Sequence, residues 1–367
     1  MNPSTPFPTL LLIPTGIGCE VGGFAGDAIP SARLLAAASG CLITHPNVMN
    51  GASLYWTDKR IHYVEGLSID LFTAGEMLLR PNCQQKVGVL LDKGIESDLL
   101  ERHIQVVNAC RATLGLNIGP IVITDTPLKI SLKRGSSGSS WGEIGEVDSL
   151  LRAGEKLKES GASAVAIVTR FPDEFNKMEL DEYRKGKGVD VLSGAEAVVS
   201  HLLVKHLCLP CAHAPAMTAL PIERGLDPLA AAEELGHTFL PCVLVGLSRA
   251  PGLVSAKTLM KNTAIHCADL LSVDQLGAVI VPDGALGGAS VLACIERNIP
   301  LIVVSNKNIL NIGVEALGLK ANLRANLRTS IFHARNYKEA VGILVGLGEG
   351  IDISSLDRPI KQTYLLD

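Results

Sequence analysis

Leu10-Leu11-Leu12-Ile13-Pro14-Thr15-Gly16-Ile17-Gly18-Cys19-Glu20-Val21-Gly22-Gly23-Phe24-Ala25-Gly26-Asp27 is the stretch whose reading decides the fold. A short apolar run passes into a turn dense in glycine. Ala32 to Ala38 then has the composition of a helix, and Cys41 to Ile43 makes a second apolar run before Thr44-His45-Pro46-Asn47. Strand, glycine-rich turn, helix, strand and polar loop is the unit that opens an α/β sheet. Backbone without Cβ can take positive φ and let a ligand reach its N–H groups, so a turn of this kind feeding a helix suits a phosphate or carboxylate. Gly16, Gly18, Gly22 and Gly23 are the candidate donors. Their spacing departs from the dinucleotide fingerprint, whose third glycine falls one position earlier, and no Lys-Ser/Thr ending makes it a P-loop.

The same grammar returns late in the chain. Ala278-Val279-Ile280-Val281 precedes Pro282-Asp283-Gly284-Ala285-Leu286-Gly287-Gly288, then a helix-like run from Ser290 to Glu296, the strand Leu301 to Val304 and Ser305-Asn306-Lys307-Asn308. Asp283, Gly284, Gly287 and Gly288 are therefore expected at a second ligand-facing turn, since open α/β sheets bind at the carboxyl ends of their strands.

Composition narrows the class. The 367 residues are 47% hydrophobic, 19% charged and only 4% aromatic, with a mean hydropathy of +0.30. That balance suits layered sheet-and-helix packing and excludes disorder. A net charge of −4 offers no field for nucleic acid. The start, Met1 to Thr9, is polar and Pro-rich, without the features of a signal peptide, and no uncharged run approaches the roughly 20 residues that span a bilayer. A cytoplasmic protein with reduced thiols is expected, because the nine cysteines are odd in number and scattered.

Along the chain, Val87 to Leu91, Ile121 to Ile123, Ala164 to Val168, Pro241 to Leu247, Ala278 to Val281 and Leu301 to Val304 read as buried strands. Ser97 to Leu114, Glu146 to Ser160, the run ending at Leu207 and Tyr337 to Leu347 read as helices. The expected fold is α/β: two Rossmann-like lobes with mainly parallel sheets and a cleft between them. The charged stretch Asp173 to Asp190 marks the boundary, giving lobes over 1–175 and 190–367. The hydroxyl-rich segment Lys133 to Gly142 is either an exposed linker or a flap in which Arg134 and Ser136 close over an anion.

The densest chemistry is Ser200-His201-Leu202-Leu203-Val204-Lys205-His206-Leu207-Cys208-Leu209-Pro210-Cys211-Ala212-His213-Ala214-Pro215. Three readings stand side by side. Its histidines and cysteines include metal-ligand types, but at no standard spacing. Cys211 and His213 share one side of the chain if the segment is extended, and a thiol beside an imidazole moves protons or attacks carbonyls. Buried Cys and His can also be structural. His45, in the loop after the second apolar run, and Cys19, in the first turn, are the other candidates for the same chemistry, and Asn47 beside His45 is a candidate ligand contact.

Ile13-Pro14-Thr15-Gly16-Ile17-Gly18, Gly22 to Ala28, Thr44-His45-Pro46-Asn47-Val48-Met49-Asn50-Gly51-Ala52, Pro210 to Pro215 and Pro282 to Gly288 together resemble an uncharacterised family of cyanobacterial and plant proteins, a domain of unknown function. The resemblance covers nearly the whole chain and implies a cyanobacterial or chloroplast-stromal setting. It carries no catalytic residue with it.

The function expected is an enzyme acting on a small anionic metabolite by thiol and imidazole chemistry, of isomerase, racemase or lyase type. The Gly287-Gly288 helix followed by Pro300 and an apolar strand also looks like the diphosphate-holding pattern of nucleotide-sugar transferases and epimerases. A non-catalytic metabolite-binding regulatory module and a metal-binding protein are the remaining alternatives. The cofactor is unknown, and self-association into a homo-oligomer is open.

Overall fold

The computed structural model describes residues 5–14, 19–51, 58–81, 84–134, 140–172, 177–187, 192–218, 221–234, 239–259, 269–307, 311–319, 329–360, 362, 363 and 365. The chain begins with β1 (Thr9–Leu11), α1 (Ile29–Ser39), β2 (Leu42–Thr44), α2 (Pro46–Met49), β3 (Ile61–Tyr63), α3 (Gly66–Thr73) and β4 (Met77–Arg80). It continues through β5 (Val87–Leu91), α4 (Ser97–Leu114), β6 (Ile118–Ile123), the hairpin of β7 (Ile130–Arg134) and β8 (Ser140–Ile144), α5 (Val147–Glu159) and β9 (Ala164–Arg170). Next come α6 (Lys177–Arg184), α7 (Ser193–Leu207), β10 (Cys211–Ala216), α8 (Pro228–Glu234) and α9 (Leu240–Leu247). The last part holds β11 (Gly252–Ser255), α10 (Ala256–Leu259), β12 (Ala278–Pro282), α11 (Ala289–Glu296), β13 (Leu301–Val304), β14 (Ile331–Ala334) and α12 (Tyr337–Gly348).

Two parallel sheets result. The first runs β14-β13-β12-β1-β2-β3, so its halves leave the centre in opposite directions, β1 to β3 one way and β12 to β14 the other. This is the Rossmann-like order, with its switch point between β1 and β12. The second runs β10-β9-β5-β6 with its own switch between β5 and β9. Strands covered on both faces must be apolar throughout, which is why β1, β5 and β12 read as uninterrupted runs and are buried along their whole length. On one face of the first sheet α1 packs against α12; α3 and α11 pack together on the other.

The division of the chain differs from the expected one. The first sheet is built from both ends of the sequence, and the second sheet's strands lie between them. β4 and β11, which lead into and out of that central segment, pair antiparallel from Met77–Ser255 to Arg80–Gly252. The charged stretch 173–190 therefore connects, in sequence, two strands of one sheet, β9 and β10, and does not separate lobes of 1–175 and 190–367. Sequence order hid this because a charged excursion looks alike whether it joins two lobes or decorates one.

One local expectation is also corrected. Pro241 to Leu247 is helical, not a strand: Pro241 sits in the first turn of α9, a helix buried on nearly every side against β9, β10, α2 and α4. A short apolar run does not tell a buried helix from a buried strand. Gly246 lets this helix lie flush on Tyr63, since a Cβ there would fall 2.6 Å from the ring. Cys211 to Ala216 is a strand at the edge of the second sheet, where Pro215 removes no hydrogen bond that a neighbour needs.

Candidate functional site

A cavity of about 280 Å³ opens where the two sheets meet. The first sheet contributes His45, Asn47 and Asn50 from the segment after β2, and Glu65 with Gly66 from the segment after β3. The second lobe contributes His213 and Pro215 from β10, and Glu196, Ala197, Ser200 and His201 from α7. Positions 196, 197, 200 and 201 make one stripe of a helix. Along β10 the alternation sends His213 and Pro215 to the cavity side, while Ala212, Ala214 and Ala216 join the core shared with the first sheet.

His45 stands at the carboxyl end of β2, just before the Pro46 that starts α2. Its Nε2 accepts the Ile13 N–H at 3.1 Å. Burial pushes its pKa down to about 4. The ring is therefore neutral at physiological pH, and with Nε2 accepting, its proton is on Nδ1.

His213 is deeper, its side chain 2% exposed. Nε2 lies 2.5 Å from Thr169 Oγ1 on the neighbouring strand, and the Phe171 ring meets it edge-on at 5.3 Å. Nδ1 is fully buried and finds no well-aligned partner; the Glu196 carboxylate is 3.4 Å away. If the Thr169 hydroxyl donates to Nε2, then Nδ1–H points towards Glu196, which is the arrangement of a carboxylate–imidazole pair.

Glu65 is 6% exposed and has three donors. It caps α3 by accepting the N–H groups of Leu67 and Ser68, and its other oxygen holds His201 Nε2 at 2.8 Å. Burial alone would lower the His201 pKa, but the Glu65 hydrogen bond and charge, with Asp70 beyond, together outweigh it and the net shift is upward. The cavity is thus lined by a neutral imidazole and a favoured imidazolium.

The other expected residues distribute as follows. Cys211 is completely buried in the core beneath β10, with Sγ directed to the Leu209 carbonyl at 3.3 Å. Burial first, then the charge of Glu65, drives its pKa well above that of a free thiol. It does not line the cavity, so a thiolate at Cys211 has no physical basis. Cys19 is half-buried, and burial with the neighbouring Asp27 charge raises its pKa to about 12. Gly16, Gly18 and Ser136 lie outside the described residues; Arg134 is described only through its backbone, opposite Ser140 in the hairpin.

Gly22 takes φ +89°, and a Cβ there would sit 2.2 Å from Ile13 Cγ2, so this turn requires glycine. Its carbonyl accepts from Asn47 Nδ2 at 3.1 Å, which fastens the first glycine turn to the cavity wall. Gly23 packs on the Cys19 carbonyl. The second turn does leave the sheet beside the first, because β1 and β12 are parallel neighbours. It is not a cradle of bare amides, however. The Gly284 N–H is taken by the Asp283 carboxylate, that of Ala285 by Pro282, and that of Leu286 by Ile312. Gly287 and Gly288 lead into α11, whose Ser290 hydroxyl is bound by Asp70.

His206 pairs with Glu155 on the surface and His201 with Glu65 inside, so the dense histidine run is divided among separate partners. Among the described residues, no group of three His, Cys, Asp or Glu is arranged to hold a metal ion. Sequence reasoning missed Glu65, Glu196 and Thr169. Glu196 carried one signal, its place on the same helix as His201, where 196 with 200 and 197 with 201 repeat at i, i+4 along one broad face; Thr169 carried none, since only strand pairing brings it to His213.

The match to known proteins is broad. An uncharacterized lipoprotein of Synechococcus sp. is 46% identical over 349 residues, covering 95% of this chain and 92% of that protein. A family model described as protein of unknown function, DUF3326, matches residues 8–357. The α/β chain with its two parallel sheets is therefore a member of the DUF3326 family.

Proposed function

We propose that the protein is an enzyme that moves a proton at a carbon next to a carbonyl or similar acidifying group, in an isomerisation, racemisation or elimination. The observation that carries this reading is the pairing, across one cavity, of a neutral imidazole donor at His45 with the Glu196–His213 pair. Glu196 faces the guest and takes the proton as general base. His213, fixed by Thr169, supports the carboxylate and acts as a positioning residue. The Nδ1–H of His45 supports the developing oxyanion, a task for which a neutral imidazole is better matched than an imidazolium that would lose its proton.

The guest is a small carboxylate or phosphate ester. Among the described lining residues there is no Lys or Arg, so its negative end relies on His201. The cysteines take no part in this scheme.

Exchange of carbon-bound hydrogen tests the proposal directly. The protein in D2O is incubated with 2-hydroxy, 2-oxo and 2-amino acids and with aldose and ketose phosphates, and deuterium uptake is followed by NMR. Uptake into at least one compound, abolished by Glu196→Gln and sharply reduced by His213→Asn, is the expected result. Binding of one of these compounds without any exchange would favour the metabolite-binding module instead.

The Synechococcus relative is named a lipoprotein. In this chain, Leu10 and Leu11, ahead of Cys19, form β1, fully buried at the centre of the first sheet. Acylation at Cys19 with loss of the preceding residues would remove that strand. This supports a cytoplasmic location, and among the described residues no helix is long and apolar enough to cross a membrane.

A further inference from the structure

At the carboxyl ends of the first sheet's strands, three buried polar atoms have no partners: Asp27 Oδ1, Asn306 Nδ2 and the Tyr337 hydroxyl. They come from three segments that the topology gathers at the carboxyl ends of the strands. Asp27 ends the turn between β1 and α1, Asn306 follows β13, and Tyr337 follows β14 as the first residue of α12, which packs on α1. Tyr337 is 8% exposed. The Asn306 Oδ1 accepts the Glu20 N–H at 2.7 Å, tying the β1–α1 turn to the end of β13. Cys19 and Asp27 in that turn both act on Tyr337, adding to the effect of burial in raising its pKa.

Buried polar atoms are nearly always paired, and an orphan works against folding. Removing the Tyr337 hydroxyl would take nothing from its packing. Three such atoms at one end of the sheet, beside the switch point where open α/β sheets receive their ligands, point to a partner that binds from solution. The chemistry selects its type. A carboxylate oxygen that wants a donor stands with an amide N–H and a phenol O–H that want acceptors, which is what neighbouring hydroxyl groups satisfy together. A phosphate would face Asp27 and Glu20, and Lys307, the cation next to Asn306, is 92% exposed and turned to Glu20 at 3.9 Å.

We propose that Asp27, Asn306 and Tyr337 form a second binding site, for the vicinal diol of a ribose-type sugar, at the switch point of the first sheet. The site is independent of the proton-transfer reading of the cavity. Burial brings the Asp27 pKa up to about 7, against a smaller opposing effect of the Gly22 N–H, so near neutrality this carboxyl can accept or donate to a hydroxyl.

Calorimetric titration of the full chain with the four ribonucleosides, their 2′-deoxy counterparts and D-ribose tests the site. At least one ribonucleoside should bind, and loss of its 2′-hydroxyl should weaken binding about tenfold or more. Tyr337→Phe and Asp27→Asn should each weaken it by a similar factor. The melting temperature of Tyr337→Phe should equal or exceed that of the parent, which separates lost recognition from lost folding. Binding of D-ribose as well assigns the site to sugars in general; binding of ribonucleosides alone assigns it to nucleosides. No binding by any member of the panel, equal binding of the ribo and deoxy forms, or unchanged binding in both variants overturns the proposal.

Discussion

His45 Nε2 lies 3.1 Å from the Ile13 amide nitrogen and accepts its proton, so the end of β1 sets the tautomer of a histidine at the end of β2. That bond places the ring proton on Nδ1, while burial keeps the ring neutral. His45→Ala, which removes the imidazole's acceptor and donor together, should lower the exchange rate by about 10²–10⁴-fold with little change in substrate affinity. NMR titration of the ring should show a midpoint near 4.

Two residues give stability opposite slopes with pH. The folded pKa of His45 is depressed from 6.5 to about 4, so its contribution is complete above 6.5 and is lost as pH falls towards 4. The folded pKa of Asp27 is raised from 3.8 to about 7, so its contribution is present below 3.8 and is lost as pH rises through 7. Melting curves of Asp27→Asn should accordingly gain on the parent between pH 5 and pH 8, an interval chosen from these shifts. A parallel curve for the variant would mean that Asp27 titrates normally.

Glu65 joins a helix cap to an ion pair, and both fail together when it is removed. Glu65→Ala should destabilise the protein by about 2 kcal/mol or more in urea unfolding, from the lost cap and from His201 left without its carboxylate. In Glu65→Gln the His201 pKa should fall from its raised value, because burial is then opposed by the Asp70 charge without that of Glu65. In the parent the raised pKa stabilises below about 6.5, and that stabilisation is lost as pH rises through the folded value.

The thiols should separate by exposure. Cys208 is exposed at the end of α7 and Cys211 is buried, so iodoacetamide should modify Cys208 in the native protein and reach Cys211 only after denaturation. Cys211→Ala should cost about 1 kcal/mol of stability and leave deuterium exchange intact. Loss of exchange in a folded Cys211→Ala protein would return the thiol to the mechanism.

A chain that begins at Cys19 should not fold, since it lacks β1, which pairs with both β2 and β12. Expression in a cyanobacterial host followed by intact-mass measurement and palmitate labelling checks the related point. Retention of the residues before Cys19 and no label are expected.

Much of the layout was legible because it depends on local pattern. Ser97 to Leu114 is a helix over the very span its apolar spacing marks, and the strands at Val87, Ala164, Ala278 and Leu301 begin where their apolar runs begin. His45 was legible as a candidate because reactive side chains were expected at strand ends, and His213 because it lies in the dense run of cysteines and histidines. The misreadings have a common origin. Pro241 to Leu247 carries no periodicity to distinguish helix from strand, and Cys211 looks identical in sequence whether its alternate face meets a cavity or a core.

The amino-acid sequence by itself determined that this chain builds parallel sheets with glycine turns at strand ends, because burial on both faces and positive φ leave their marks residue by residue. Only the tertiary structure decided that the two ends of the chain share one sheet, that Glu65, Glu196 and Thr169 stand beside the histidines, and that Cys211 is out of reach. Those facts are contacts between residues tens to hundreds of positions apart. They are fixed by strand order and helix packing, which no local run of side chains encodes.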